Sequence, residues 1–156
     1  MEIIKLGNPL LREVSKEVLL PLSREDKDLA TSLYKFVKEN EATAMGISAV
    51  QVGQLKRMCA VRYKKKDNSL VAYLLINPKI VWHSTKKFSL SGGEGCLSVE
   101  EKHEDPVPRW EAIKVMAFDC LKNKTVLINA VELEAAVLQH EIDHMDGVLY
   151  IDRIQK

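Results

Sequence analysis

A chain of 156 residues with 46% hydrophobic and 29% charged content can bury a core of its own, which excludes disordered and fibrous classes. Its formal charge of +1 gives no electrostatic basis for nucleic-acid binding, and no apolar run approaches membrane-spanning length. Three cysteines without framework spacing fit a reducing compartment, and Met1 to Gly7 has no targeting character, so one cytoplasmic domain over residues 1–156 is expected.

Asn8-Pro9 opens the chain with a turn signal. Ser23 followed by Asp26 predicts a helix start, and Leu29, Leu33, Phe36 and Val37 supply its buried stripe as far as about Glu39. Residues 43–53 are a run of small side chains holding one amide, Gln51. Such a run lets a second backbone approach, and Gln51 could donate to an oxyanion; the plainer alternative is a loop-to-strand transition with a surface glutamine. Residues 58–63 and 70–76 read as a hairpin with an exposed tip at Lys64-Lys65-Lys66, the second strand stopping at Asn77-Pro78.

Residues 89–98 place glycines 92, 93 and 95 around Cys96. They free the backbone to present that thiol, and a cysteine facing a metal binds as thiolate. The Leu97 N–H beside it could join Gln51 in holding an oxyanion. Cys59 and Cys120 sit in apolar strand patterns and read as inert buried thiols, while His83 and His103 read as surface histidines. Residues 112–118 and 125–128 form a second hairpin that runs directly into a last helix.

Asn129 with Glu132 predicts the N-cap of that helix, and Gly147 its end. At about 100° per residue, His144 lies roughly 40° around from His140 and one turn on, so both imidazoles can reach one metal ion. Glu141 lies beside them, placed to hold a water and move its proton. Leu133, Ala136 and Val137 share the face of His140, so the pair is expected to look into the core. Two satisfied core histidines on an ordinary amphipathic helix are the alternative, but desolvated imidazoles and a carboxylate each need a partner, which one metal ion supplies. A third protein ligand is then required. Only twelve residues follow His144, with Asp146 and Asp152 their only acids, so Cys96 upstream is the best candidate. Short strands between two separated helices, without βαβ alternation, predict an α+β fold: antiparallel strands and hairpins packed around a central metal-binding helix.

Three stretches in this order resemble the motifs of the peptide deformylases. Residues 44–51 resemble the family's glycine-rich motif ending in glutamine, residues 94–98 match its Glu-Gly-Cys-Leu-Ser motif in full, and residues 139–144 match its Gln-His-Glu helix. Asn8 to Arg12 resembles its amino terminus, so the likeness spans nearly the whole chain. It implies an enzyme that removes the formyl group from N-formylmethionyl peptides and releases formate. Carried over residue by residue, it makes Cys96, His140 and His144 the ligands of one metal ion per chain, Fe²⁺ by usual physiology, with Zn²⁺, Ni²⁺ or Co²⁺ able to substitute. It makes Glu141 the proton carrier and Gln51 with the Leu97 N–H the oxyanion donors. The methionine side chain is expected in an apolar pocket for which Met45, Gly46, Leu133 and Ala136 are candidates by position, with substrate backbone along Met45 and the segment after Ser98. Arg109 matches a family arginine and reads either as a bidentate anchor for Glu94 or as a surface salt bridge without consequence.

Ala44, Ser48 and Val50 stand where the family usually has glycine, alanine and proline, and Glu100-Glu101 where it has Pro-Gly. A positive φ at residue 44 would strain an alanine, and acidic side chains at the substrate rim bear on peptide preference. The chain has no long extension after the metal helix of the kind some members use in docking to the ribosome, so these residues give ribosome association no support. The departures leave two other readings: a hydrolase with shifted acyl or peptide preference, and a protein that binds amino termini without turnover. The presence of Glu141 weighs against the second, because a binder needs no proton carrier.

Overall fold

A computed structural model describes residues 1–155 of the chain. The first long element, α1 (Arg24–Glu39), starts where the Ser-x-x-Asp spacing places it, with the Ser23 hydroxyl accepting from the Asp26 N–H at 3.1 Å. Seven strands are described: β1 (Gly46–Ser48), β2 (Met58–Lys64), β3 (Leu70–His83), β4 (Lys87–Phe88), β5 (Arg109–Trp110), β6 (Ala112–Asp119) and β7 (Lys124–Val131). Five of them form an antiparallel sheet in the order β1-β2-β3-β6-β7, and β4 pairs with β5 in a small ribbon. The helix α2 (Glu132–Met145) packs on the sheet, giving the expected α+β arrangement around the helix that carries both histidines.

The two helices cover opposite faces. Cys59 and Val61 of β2 join Ala135, Leu138, Ile142 and Met145 of α2, whereas Met58 and Ala60 join Ala30, Leu33 and Val37 of α1. A strand buried on both sides needs a continuous apolar run, and Met-Cys-Ala-Val is that run. β6 extends beyond the cover of α1, so its sequence alternates instead: Ile113, Val115 and Ala117 are buried, Lys114 and Met116 exposed. β1 lies at one edge, three residues long, paired among the described residues with β2 alone. Its other side borders the site.

Two expected boundaries move. β3 does not stop at Asn77-Pro78 but continues to His83. The register shifts between Ile76 and Lys79, Asn77 takes φ 52°, and its side chain holds both the N–H and the carbonyl of Val18 at 2.8 and 2.9 Å. Proline is tolerated at such a bulge because the ladder asks for no N–H there. Asn129 does not cap α2; it pairs with Lys114 in β7, and the strand reaches Val131. A long-range ladder has outcompeted a local cap. Glu132, at φ 53°, turns the corner into the helix while its N–H donates to the Glu111 carbonyl at 2.8 Å. The far end matches expectation. Gly147 takes φ 74°, and any side chain there would strike the backbone of Arg12.

Candidate active site

α2 is buried nearly all round, and its two sides have different neighbours. Ala135, Leu138, Ile142 and Met145 enter the sheet core, while Leu133, Ala136, Val137 and His140 line a cavity of about 490 Å³. The histidine face therefore lines a recess, where the sequence pattern suggested closed core. Residues 43–46 and the segment carrying Cys96 complete the walls, and Met45, Gly46, Gln51, Leu97 and Glu141 all border the space.

Cys96 and His140 line this cavity and converge with the buried His144 behind them, the three ligand atoms within 4.8 Å of one another. Cys96 Sγ is 3.4 Å from His144 Nε2. A tetrahedral ion with bonds of about 2.0–2.3 Å holds its ligand atoms roughly 3.3–3.8 Å apart, a window into which the Cys96–His144 spacing falls. Thiolate with two imidazoles is a donor set for a divalent transition metal. His140 Nδ1 meets Glu94 Oε1 at 3.0 Å, which aims the other ring nitrogen into the site. Burial pulls His140 down, but the Cys96 and Glu94 side chains outweigh it and push the imidazole up to about 10. Burial, with the charges of His140 and Arg109, holds His144 well below the usual histidine range. Asp146 and Asp152 pair with Arg57 and Arg12 instead, and Cys59 is sealed in the core with its thiol pushed up by burial. Cys120 is half-buried just beyond β6.

Arg109 is 3% exposed and grips Glu94 with two bonds, 2.6 and 2.8 Å, a buried bidentate pair and not a surface one. Its third donor meets Asp143 at 3.0 Å, and Asp143 also receives two bonds from Arg153, at 2.6 and 2.9 Å. A chain of alternating charge thus runs behind the histidines from the cysteine loop to the carboxy-terminal segment.

Gln51 is buried, which removes the surface alternative. Its Oε1 accepts from the Ser48 N–H at 3.0 Å, and its Nε2 donates to Ser98 Oγ at 3.2 Å with Cys96 Sγ 3.6 Å away. Glu141 is buried too, its carboxyl raised chiefly by that burial. Gly46 leaves room for it: a Cβ on that residue would lie 2.7 Å from Glu141 Oε2 and 3.0 Å from Cδ. Gly46→Ala is therefore expected to push the carboxylate aside and slow turnover on the order of tenfold to a hundredfold with metal content retained. Steady-state rates beside metal analysis check this; an unchanged rate would show that the carboxylate has room to shift.

Ala44 takes no positive φ, so the alanine carries no backbone strain; its N–H donates to the Asn40 carbonyl at 2.9 Å. Val50 is fully buried. Glu100 and Glu101 do border the cavity, and Glu100 pairs with Lys5 at 3.3 Å. Four residues to which the sequence reading gave no role at the site also belong here: Ser48, Ser98, Asp143 and Tyr150, whose ring lies 6.0 Å from that of His140. Asp143 lies inside the Gln-His-Glu helix motif, which is a signal of a kind; Tyr150 gives none.

A family model described as polypeptide deformylase matches residues 1–156. The chain belongs to that family. It is 38% identical to peptide deformylase 2 of Bacillus cereus, over 99% of this chain and 89% of that protein. A probable peptide deformylase from Synechococcus phage S-SSM7 has a similar structure, with a TM-score of 0.84 and 32% identity over 99% of both chains. So has a class I type b peptide deformylase from Acinetobacter baumannii solved with Met-Ala-Ser bound, with a TM-score of 0.84 and 28% identity over 99% of this chain and 98% of that one. Membership carries the activity: peptide deformylases are metal-dependent hydrolases that remove the N-formyl group from nascent peptides.

Proposed function

We propose that this chain cleaves formyl from N-formylmethionyl peptides at a site in which Cys96, His140 and His144 hold one Fe²⁺ ion, which Zn²⁺, Ni²⁺ or Co²⁺ can replace. The convergence of those three donors at the wall of the cavity that Glu141 borders carries the reading. When bound, the metal supplies Lewis acidity, lowering the pKa of a coordinated water and polarising the formyl oxygen. Glu141 takes the water's proton and returns it to the departing amine, so that formate and a free amino terminus leave together. Gln51 Nε2 and the Leu97 N–H donate to the oxyanion at the former carbonyl oxygen. Met45, Gly46, Leu133 and Ala136 surround the methionine side chain, and the free edge of β1 pairs with the peptide backbone as an added strand. A formyl carbon bears only hydrogen, so a close-fitting cavity admits it and rejects bulkier acyl groups. The substrates are newly made chains in the cytoplasm, met without direct nucleic-acid contact. Glu100 and Glu101 at the cavity mouth favour one secondary reading, an altered preference for the residues after methionine.

The test is formate release from formyl-Met-Ala-Ser by protein purified without oxygen and supplied with Fe²⁺ or Ni²⁺; the Acinetobacter relative, which holds Met-Ala-Ser, supports the choice of peptide. Rapid release is expected, lost on chelation, restored by the ion, and absent with acetyl-Met-Ala-Ser. Equal release of acetate would mean a shifted acyl preference, and tight binding with no release would mean a binder.

A further inference from the structure

Ser48 ends β1 with its side chain against Glu141. It is fully buried, and its Oγ lies 3.0 Å from Glu141 Oε1 and 2.9 Å from the Glu141 main-chain carbonyl. Its N–H meanwhile holds Gln51 Oε1 at 3.0 Å. One residue thus touches both side chains assigned to the chemistry. We propose that the Ser48 hydroxyl is a positioning residue for turnover, fixing the Glu141 carboxyl by hydrogen bonding to Oε1 and leaving Oε2 to face the cavity over Gly46.

A hydroxyl has one proton to give and two lone pairs to receive with. While Glu141 is ionised, the charged Oε1 is the stronger acceptor and takes the Ser48 proton. The proton won from water is carried on Oε2, the oxygen that faces the cavity, so Oε1 goes on accepting from the Ser48 hydroxyl at 3.0 Å. Both states of the carrier then have a partner in the same place, with no swing of the side chain between strokes. Alanine offers neither bond, and a carboxyl freed on that side can settle in orientations that do not face the water.

The inference rests on Glu141 as proton carrier, and the experiment separates the two. Ser48→Ala, Glu141→Gln and the double variant are assayed with metal content, melting temperature, kcat and KM measured for each. Ser48→Ala is expected to lower kcat about tenfold, the worth of roughly one charge-assisted hydrogen bond, with KM within about twofold. In the Glu141→Gln background the same change is expected to alter the residual rate less than about twofold, because there is no proton carrier left to position. Ser48→Cys, similar in size and a weaker donor, falls between. An unchanged kcat in Ser48→Ala overturns the proposal. So does an equal fall in both backgrounds, or a loss confined to KM, metal content or melting temperature, each of which would mark a purely structural serine. Wild-type turnover by Glu141→Gln alone would instead overturn the proton-carrier reading.

Discussion

Replacing Glu141 by glutamine is expected to lower kcat by about 10²–10⁴-fold, the usual worth of a general base, while metal content and folding stay intact. The amide matches the carboxylate in size and can still accept from Ser48 Oγ, 3.0 Å away in the native site. It also removes an ionisable group that burial disfavours in its charged form. Stability should therefore hold or rise slightly, so a lost rate would report chemistry and not unfolding. Single-turnover formate release with metal analysis on the same sample decides the matter; release at the native rate would assign the proton to another group.

The second large effect is on stability. Arg109 lies almost wholly inside the protein and neutralises Glu94 through two short bonds. Arg109→Met keeps much of the apolar stem but leaves the Glu94 carboxylate buried without its cation, a loss of about 3–5 kcal/mol. Asp143 suffers less, since Arg153 remains on it. For a protein of this size that corresponds to a fall in Tm of roughly 6–20 °C, measurable by thermal unfolding. Metal affinity should drop as well, by about 10–100-fold, because Glu94 also orients the His140 ring. Adding Glu94→Gln should recover part of the stability by removing the orphaned charge. A single variant that melts like the native protein would mean that water reaches Glu94 freely.

Much of this site was legible because its chemistry demands residue types at fixed spacing. His140, Glu141 and His144 declare themselves on any helix, and Cys96 stands out in a glycine-rich loop. The α1 boundaries were legible for a similar reason: Ser23 and its partner lie three residues apart, so the cap is written locally. What stayed hidden depends on distant segments. The corner at Glu132 is set by β6 holding Asn129 in the ladder, and Pro78 survives inside β3 because Asn77 reaches back to Val18. The face of α2 that borders the cavity looks in sequence like one that borders the core, since both are apolar. Ser48 was visible as a departure from the family pattern, but nothing local tells that its hydroxyl ends beside a carboxylate ninety-three residues away.

With the peptide added to β1 as proposed, the shortness of that strand limits how far along a chain the site can look. At about 3.4 Å per residue, three residues of edge offer roughly 10 Å of backbone to grip, and beyond that a bound peptide returns to water. Main-chain hydrogen bonds are the same for every sequence, so the grip is blind to side chains past the first residue except at the rim. A longer edge would have held each chain more tightly, tied affinity to the composition of its first several residues and slowed its departure. Three residues suit an enzyme that must treat thousands of different beginnings alike and let each of them go.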